Sequence, residues 1–183
     1  MIEGYTDTVP FGAYRREVFE HVGMFNERLA RNQDNELCSR IIERKGKIYM
    51  TPALRAHYYS RATIREFLAQ AFRTGAWNVL TIMINRHAFR WRHFVPLFFV
   101  GTLLTSSLLA VVYPRTSVAV LVLMAAYFGA AFICSLQRGL SKGLRGLVLL
   151  PLLFFGLHFA YGLGTCAGLL WVTFGGWRRR DFA

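Results

Sequence analysis

The stretch FVPLFFVGTLLTSSLLAVVY, residues 94–113, carries no charged side chain. About 20 predominantly apolar residues in a helix, rising 1.5 Å each, match the roughly 30 Å hydrocarbon layer of a bilayer. Two further blocks of this kind follow at residues 117–136 and 147–174, and from position 94 onward Asp181 is the only acidic residue. The expected architecture is therefore a polar N-terminal half followed by an α-helical transmembrane region, residues 94–183, with three hydrophobic segments. The last block is longer than one crossing needs and too short for two.

The charges around these blocks predict an orientation. Arg86, Arg90 and Arg92 precede the first block, Arg115 stands alone in the first loop, and Arg138, Lys142 and Arg145 fall in the second. By the positive-inside rule the N-terminal half and the second loop face the cytoplasm. The tail WRRRDFA disagrees, because three full crossings put Arg178 to Arg180 on the other side. A re-entrant hairpin bending near YGLG, residues 161–164, is the alternative that satisfies the rule. Gly164 and Gly168 have the spacing of close helix packing.

The net charge of +12 does not mark a nucleic-acid binder. The basic residues form no single stripe and several flank apolar blocks, so anionic lipid headgroups are the expected partner and nucleic acid is not. Cys38, Cys134 and Cys166 have neither metal-ligand spacing nor an even count, and read as reduced small hydrophobes. The opening MIEGYTDTVPFG lacks the basic and apolar regions of a signal peptide.

Upstream of the first block, TIRE has the capping-box spacing of Thr63 and Glu66 and starts a helix. Phe67, Leu68, Ala71 and Phe72 fall on one side of it, with Arg65, Gln70 and Arg73 near the other. Such a helix, carrying Trp77, suits the membrane interface, and packing on a core explains it equally; residues 63–93 are read as an interfacial region. Within residues 1–62, VPFGAYRREVFEHVGMF predicts an extended piece and then a helix over about 14–22 stopped by Gly23. DNELCSRIIERKG predicts a second helix with Leu37, Cys38, Ile41 and Ile42 on its apolar face and Gly46 as its stop. KIYMTPALRAHYYS predicts two short extended pieces around Pro52. Asp34 stands where the second helix begins. There a carboxylate is a preferred cap, worth about 0.5–2 kcal/mol, on the side of the helix dipole that favours negative charge.

The ordered set Gly12 to Phe19 (GAYRREVF), Gly23 to Glu27 (GMFNE) and Gln33 to Leu37 (QDNEL), with Arg40 and Gly46 beyond, resembles the acceptor-side half of family 2 glycosyltransferases with a GT-A fold. The nearest likeness is to membrane-attached bacterial enzymes of exopolysaccharide assembly, the succinoglycan type, and it covers residues 8–78. It implies a partial α/β GT-A domain in residues 1–62. The implied reaction is an inverting transfer of a sugar from a nucleotide sugar to a polyprenyl-linked or glycan acceptor, at the cytoplasmic face of a bacterial inner membrane.

In that family the residue matching Asp34 is the general base, which takes the acceptor hydroxyl's proton as the new bond forms. Gln33 stands where many members have Glu. Glu36 occupies the third acidic position, with Arg40 in reach at i, i+4. QAFRTGAW resembles the Q-x-x-R-W element near the donor diphosphate, matched by Gln70 and Arg73, with Thr74 in place of Trp and Trp77 one turn on. With Gly12 and Gln33 these complete the implied donor and acceptor contacts.

His57 falls near a late metal-ligating histidine of some GT-A enzymes, although a structural role explains it as well. The resemblance also implies magnesium or manganese held by Asp-x-Asp, which this sequence does not contain. The expectation is that these residues form the C-terminal part of a longer enzyme, from a truncated or split frame, with Met1 internal and a separate chain as one source of the nucleotide-binding half. The alternative is a small non-catalytic membrane scaffold of a polysaccharide or transport complex.

Overall fold

A computed structural model describes residues 3–89, 91–139 and 143–174. The N-terminal part begins with β1 (Gly4–Thr6), followed by helices α1 (Arg16–Val22) and α2 (Gln33–Glu43) and by β2 (Ile48–Met50). β1 and β2 pair antiparallel, with Tyr5 opposite Tyr49 and their rings edge to face at 5.5 Å. Leu37, Cys38 and Ile41 of α2 join Ile48 in a small core, against which Val18, Phe19 and Val22 of α1 pack. Ile42 departs from the expected face: it sits at the outer edge of the apolar stripe and is 42% exposed.

The helix ends follow local chemistry. Gly23 closes α1 with φ 83° and its N–H donates to the Phe19 carbonyl at 2.8 Å. At the end of α2 the left-handed residue is Lys45, with φ 61°, not Gly46. Lys45 N–H donates to Ile42 O at 2.9 Å and Gly46 N–H to Ile41 O at 2.8 Å, the paired bonds of a Schellman cap. Gly46 is needed for room, since a Cβ there would lie 2.6 Å from Ile41 Cγ2. Arg40 ties the two helices together. It donates to both carboxylate oxygens of Glu36 at 2.8 Å and to the carbonyls of Val22, Gly23 and Met24 at the end of α1.

The expected α/β layering is not what the structure shows. The described residues are predominantly helical, and β1 and β2, three residues each, are their only strands. Tyr49 and Met50 stay exposed and among the described residues no third strand pairs beside them, so the ribbon makes no sheet on which helices could form a layer.

The rest is α3 (Ile64–Ile84), α4 (Val95–Val112), α5 (Ser117–Gly139) and α6 (Gly143–Phe174), with 3₁₀ turns at Trp91–Phe94 and Pro114–Thr116. Three stretches, Trp91–Val112, Pro114–Gln137 and Arg145–Phe174, are long and apolar enough to cross a membrane. Phe98, Leu108, Val111, Leu121, Leu170 and Phe174 lie exposed on them. In water so large an apolar surface marks an interaction site or a liability; in lipid it is ordinary solvation. These features fit a membrane-associated protein.

α6 corrects the hairpin expectation. It runs unbroken through residues 161–164 for 32 residues, about 48 Å at 1.5 Å per residue. Arg90, Lys142 and Arg178 to Arg180, used in the charge argument, lie outside the described residues.

The glycines of α6 serve close approach. Leu68 lies on Gly156, Phe72 on Gly164 and Ala76 on Gly168, so α3 and α6 run side by side in the same direction. A Cβ at Gly164 would overlap the Phe72 carbonyl, and one at Gly168 would come within 2.8 Å of the Ala76 oxygen. The apolar side expected for α3 is thus its contact with α6, the close approach that small residues permit between helices. Gly164→Leu is expected to destabilise the detergent-solubilised protein by about 1–3 kcal/mol or more through overpacking. Gly101→Leu, at a site with nothing within 4 Å, is the matched control in a thermal melt and should not destabilise.

Candidate functional site

Asp34 is the second residue of α2, and the N-cap is Asn32, held in the left-handed conformation at φ 63°. The carboxylate nevertheless serves the first turn, since Oδ1 accepts from the Asn35 N–H at 2.8 Å. Half-buried, Asp34 lines an open cavity of about 440 Å³ with Pro10, Phe11, Phe25 and Gln33. Gln33 turns back, its Nε2 donating to the Leu29 carbonyl at 2.7 Å, which fixes the loop before the helix. Gly12 lines a neighbouring cavity of about 510 Å³ and gives space to Tyr14, whose hydroxyl would lie 2.6 Å from a Cβ there.

Tyr14 borders this region. Burial, then Cys38 and the Asp34 charge, push its hydroxyl up to about 12. The unfolded chain releases that proton near pH 10 and the folded chain keeps it, so stability present below pH 10 is lost as pH rises towards 12. Tyr14→Phe is expected to remove that share of the alkaline decline in a series of melts between pH 9 and about 12.

What positions the start of α2 is an amide relay. Asn32 Nδ2 donates to Asn78 Oδ1 at 2.8 Å and to Thr81 Oγ1 at 3.4 Å, and Asn78 Nδ2 donates in turn to the Tyr161 hydroxyl. Asn78 and Thr81 are buried at 3% and 0% exposure, where polar groups require partners. Leu29, just upstream, packs with Trp77 and Leu80 of α3 and with Trp171 and Val172 of α6. The relay joins three distant segments and has no signature in the linear sequence. One local signal existed: Asn, which tolerates left-handed backbone, directly before a helix.

Basic charge gathers around Arg31, three residues before Asp34. Burial, and then the positive charges of Arg73 and Arg61, lower the pKa of Arg31, with Tyr58 also within electrostatic reach. Arg61 Nε donates to Gln70 Oε1 at 3.0 Å. The Tyr58 ring lies 6.2 Å from that of Phe11, which lines the Asp34 cavity. Phe11 and Tyr58 thus link the Asp34 cavity to the neighbourhood of Arg31, where the charges of Arg61 and Arg73 are also felt, and gathered guanidinium charge favours a polyanion. Arg73 and Gln70 were expected there; Arg31 and Arg61 belong to no motif and arrive from separate loops.

Two expected residues lie elsewhere. Trp77 is fully buried in the core with Leu29 and Leu80 and presents no surface to a ligand. His57 lies exposed in the irregular segment after β2. Among the described residues no three His, Cys, Asp or Glu side chains come together to hold a metal ion. Cys38, Cys134 and Cys166 are all free thiols. No protein-family model, curated protein or solved structure matches this chain.

Proposed function

We propose that the chain is the acceptor side of a membrane-bound, inverting glycosyltransferase of the GT-A type, transferring a sugar from a nucleotide sugar to a lipid-linked or polysaccharide acceptor at the cytoplasmic face. What supports this reading is the half-buried Asp34 in the first turn of α2, with Arg31 three residues before it and Arg61 and Arg73 close enough to act on Arg31 electrostatically. In the proposed reaction Asp34 takes the proton of the acceptor hydroxyl, whose oxygen bonds to the anomeric carbon. The bond from that carbon to the diphosphate breaks on the opposite face, inverting the centre, and the nucleoside diphosphate leaves as an acidic phosphate that needs no proton. The arginines bind the diphosphate by paired, charge-assisted hydrogen bonds, and Gln70 orients Arg61. No step is assigned to a metal, and the nucleotide-binding half comes from polypeptide outside these 183 residues.

The test is transfer of radiolabelled sugar in membranes that contain this chain together with its nucleotide-binding half, using a panel of nucleotide sugars and the extracted lipid acceptors. Label should enter the lipid fraction. Arg73→Gln should raise KM for the donor about tenfold, the value of a lost hydrogen bond to a charged group. Absence of transfer with every donor, from a correctly folded preparation, would reject the proposal and favour a scaffold.

A further inference from the structure

A second cavity, of about 460 Å³, lies where α3, the head of α4 and α6 meet. Its walls include Phe67, Pro96 and Leu157, and its polar groups include Arg92, His93 and His158. Among the described residues no carboxylate lines it, although Arg92 also reaches out of it to Asp7 at 3.5 Å. His93 Nδ1 is enclosed and has no hydrogen-bond partner among the described residues, an arrangement that calls for a ligand or water. His158 is oriented by a hydrogen bond of 2.8 Å between its Nδ1 and the Tyr127 hydroxyl.

The level of the cavity is set by its neighbours. Arg92 and His93 lie in the 3₁₀ turn that leads into α4, and Trp91 beside them is 78% exposed. Exposed Trp next to Arg at the head of an apolar helix marks the headgroup layer. A site with one guanidinium, two imidazoles, apolar walls and that depth matches an amphiphile with a negative head and a hydrocarbon tail.

We infer that this cavity binds an anionic phospholipid of the surrounding bilayer, its phosphate against Arg92, His93 and His158 and the start of its acyl chain along Phe67, Pro96 and Leu157. The inference is independent of the Asp34 reading, because it concerns retention of a lipid and not turnover.

The test is native mass spectrometry of the full chain released from nanodiscs of phosphatidylcholine with or without phosphatidylglycerol. The wild type should retain one phosphatidylglycerol in preference to phosphatidylcholine. Arg92→Gln should lower that retention about tenfold, as expected for a lost hydrogen bond to a charged group. Leu157→Trp should lower retention by filling the tail's place while leaving Arg92, His93 and His158 in place, with circular dichroism showing both variants folded. Equal retention of the two phospholipids, or unchanged retention in both folded variants, would overturn the inference. So would displacement by 10 mM inorganic phosphate, which would make this a free-phosphate site, or preferential retention of an added polyprenyl phosphate, which would make it an acceptor site.

Discussion

Under the proposed glycosyltransferase reading, Asp34→Asn, assayed together with a nucleotide-binding half, is expected to lower turnover by about 10²- to 10⁴-fold, the usual share of a general base, with donor affinity nearly unchanged. Asparagine is isosteric and its Oδ1 still accepts the Asn35 N–H that Asp34 accepts now, so the helix start is preserved. The favourable interaction of the carboxylate with the helix N-terminus is lost, at about 0.3–1 kcal/mol, too little to unfold the chain. A pure cap would therefore show a small drop in melting temperature and ordinary kcat. A base shows a collapse of kcat with KM for the donor in place. Single-turnover transfer with saturating donor separates the two, and near-normal turnover ends the assignment.

Arg40→Met is expected to cost about 3–5 kcal/mol of stability, the range for breaking a buried ion pair from one side. Glu36 is 2% exposed, so without Arg40 its charge stays enclosed, and the carbonyls of Val22, Gly23 and Met24 lose their donor at the end of α1. The double variant Glu36→Gln with Arg40→Met should recover part of the loss, because the stranded charge is gone. Arg16 and Glu20, an exposed pair at 3.7 Å, should by contrast contribute little. Denaturant unfolding of the detergent-solubilised chain measures all three. A loss from Arg40→Met no greater than that from Arg16→Met would mean that the Glu36 pair is not holding α1 to α2.

The parts of the fold that could be read in advance were those set by neighbours along the chain. Thr63 accepts the Glu66 N–H as the capping box requires, Gly23 closes α1, and Glu36 meets Arg40 one turn on. Leu37, Cys38 and Ile41 bury as their spacing demands. What failed depended on context. Glycines in YGLG suggest a bend, but between closely packed helices they permit contact, so α6 runs unbroken through them. Trp77 resembled an interfacial side chain, but the stripe that packs on α6 encloses it. The arginine cluster and the amide relay are made by residues dozens of positions apart, beyond the reach of any local pattern. The α/β layering was drawn from resemblance and not from strand periodicity, and the described residues supply two short strands.

The amide relay has a mechanical consequence. Asp34 follows Asn32 by two residues, and Asn32 is fastened through Asn78 to Tyr161 of α6. The head of α4 meets α6 around Leu157 and His158, so the turn of α6 that bears Tyr161 lies at the headgroup level and swings with any tilt the bilayer imposes on the part of α6 within it. The aim of the carboxylate is therefore expected to be gauged by the thickness of the host bilayer, with α6 as the lever arm.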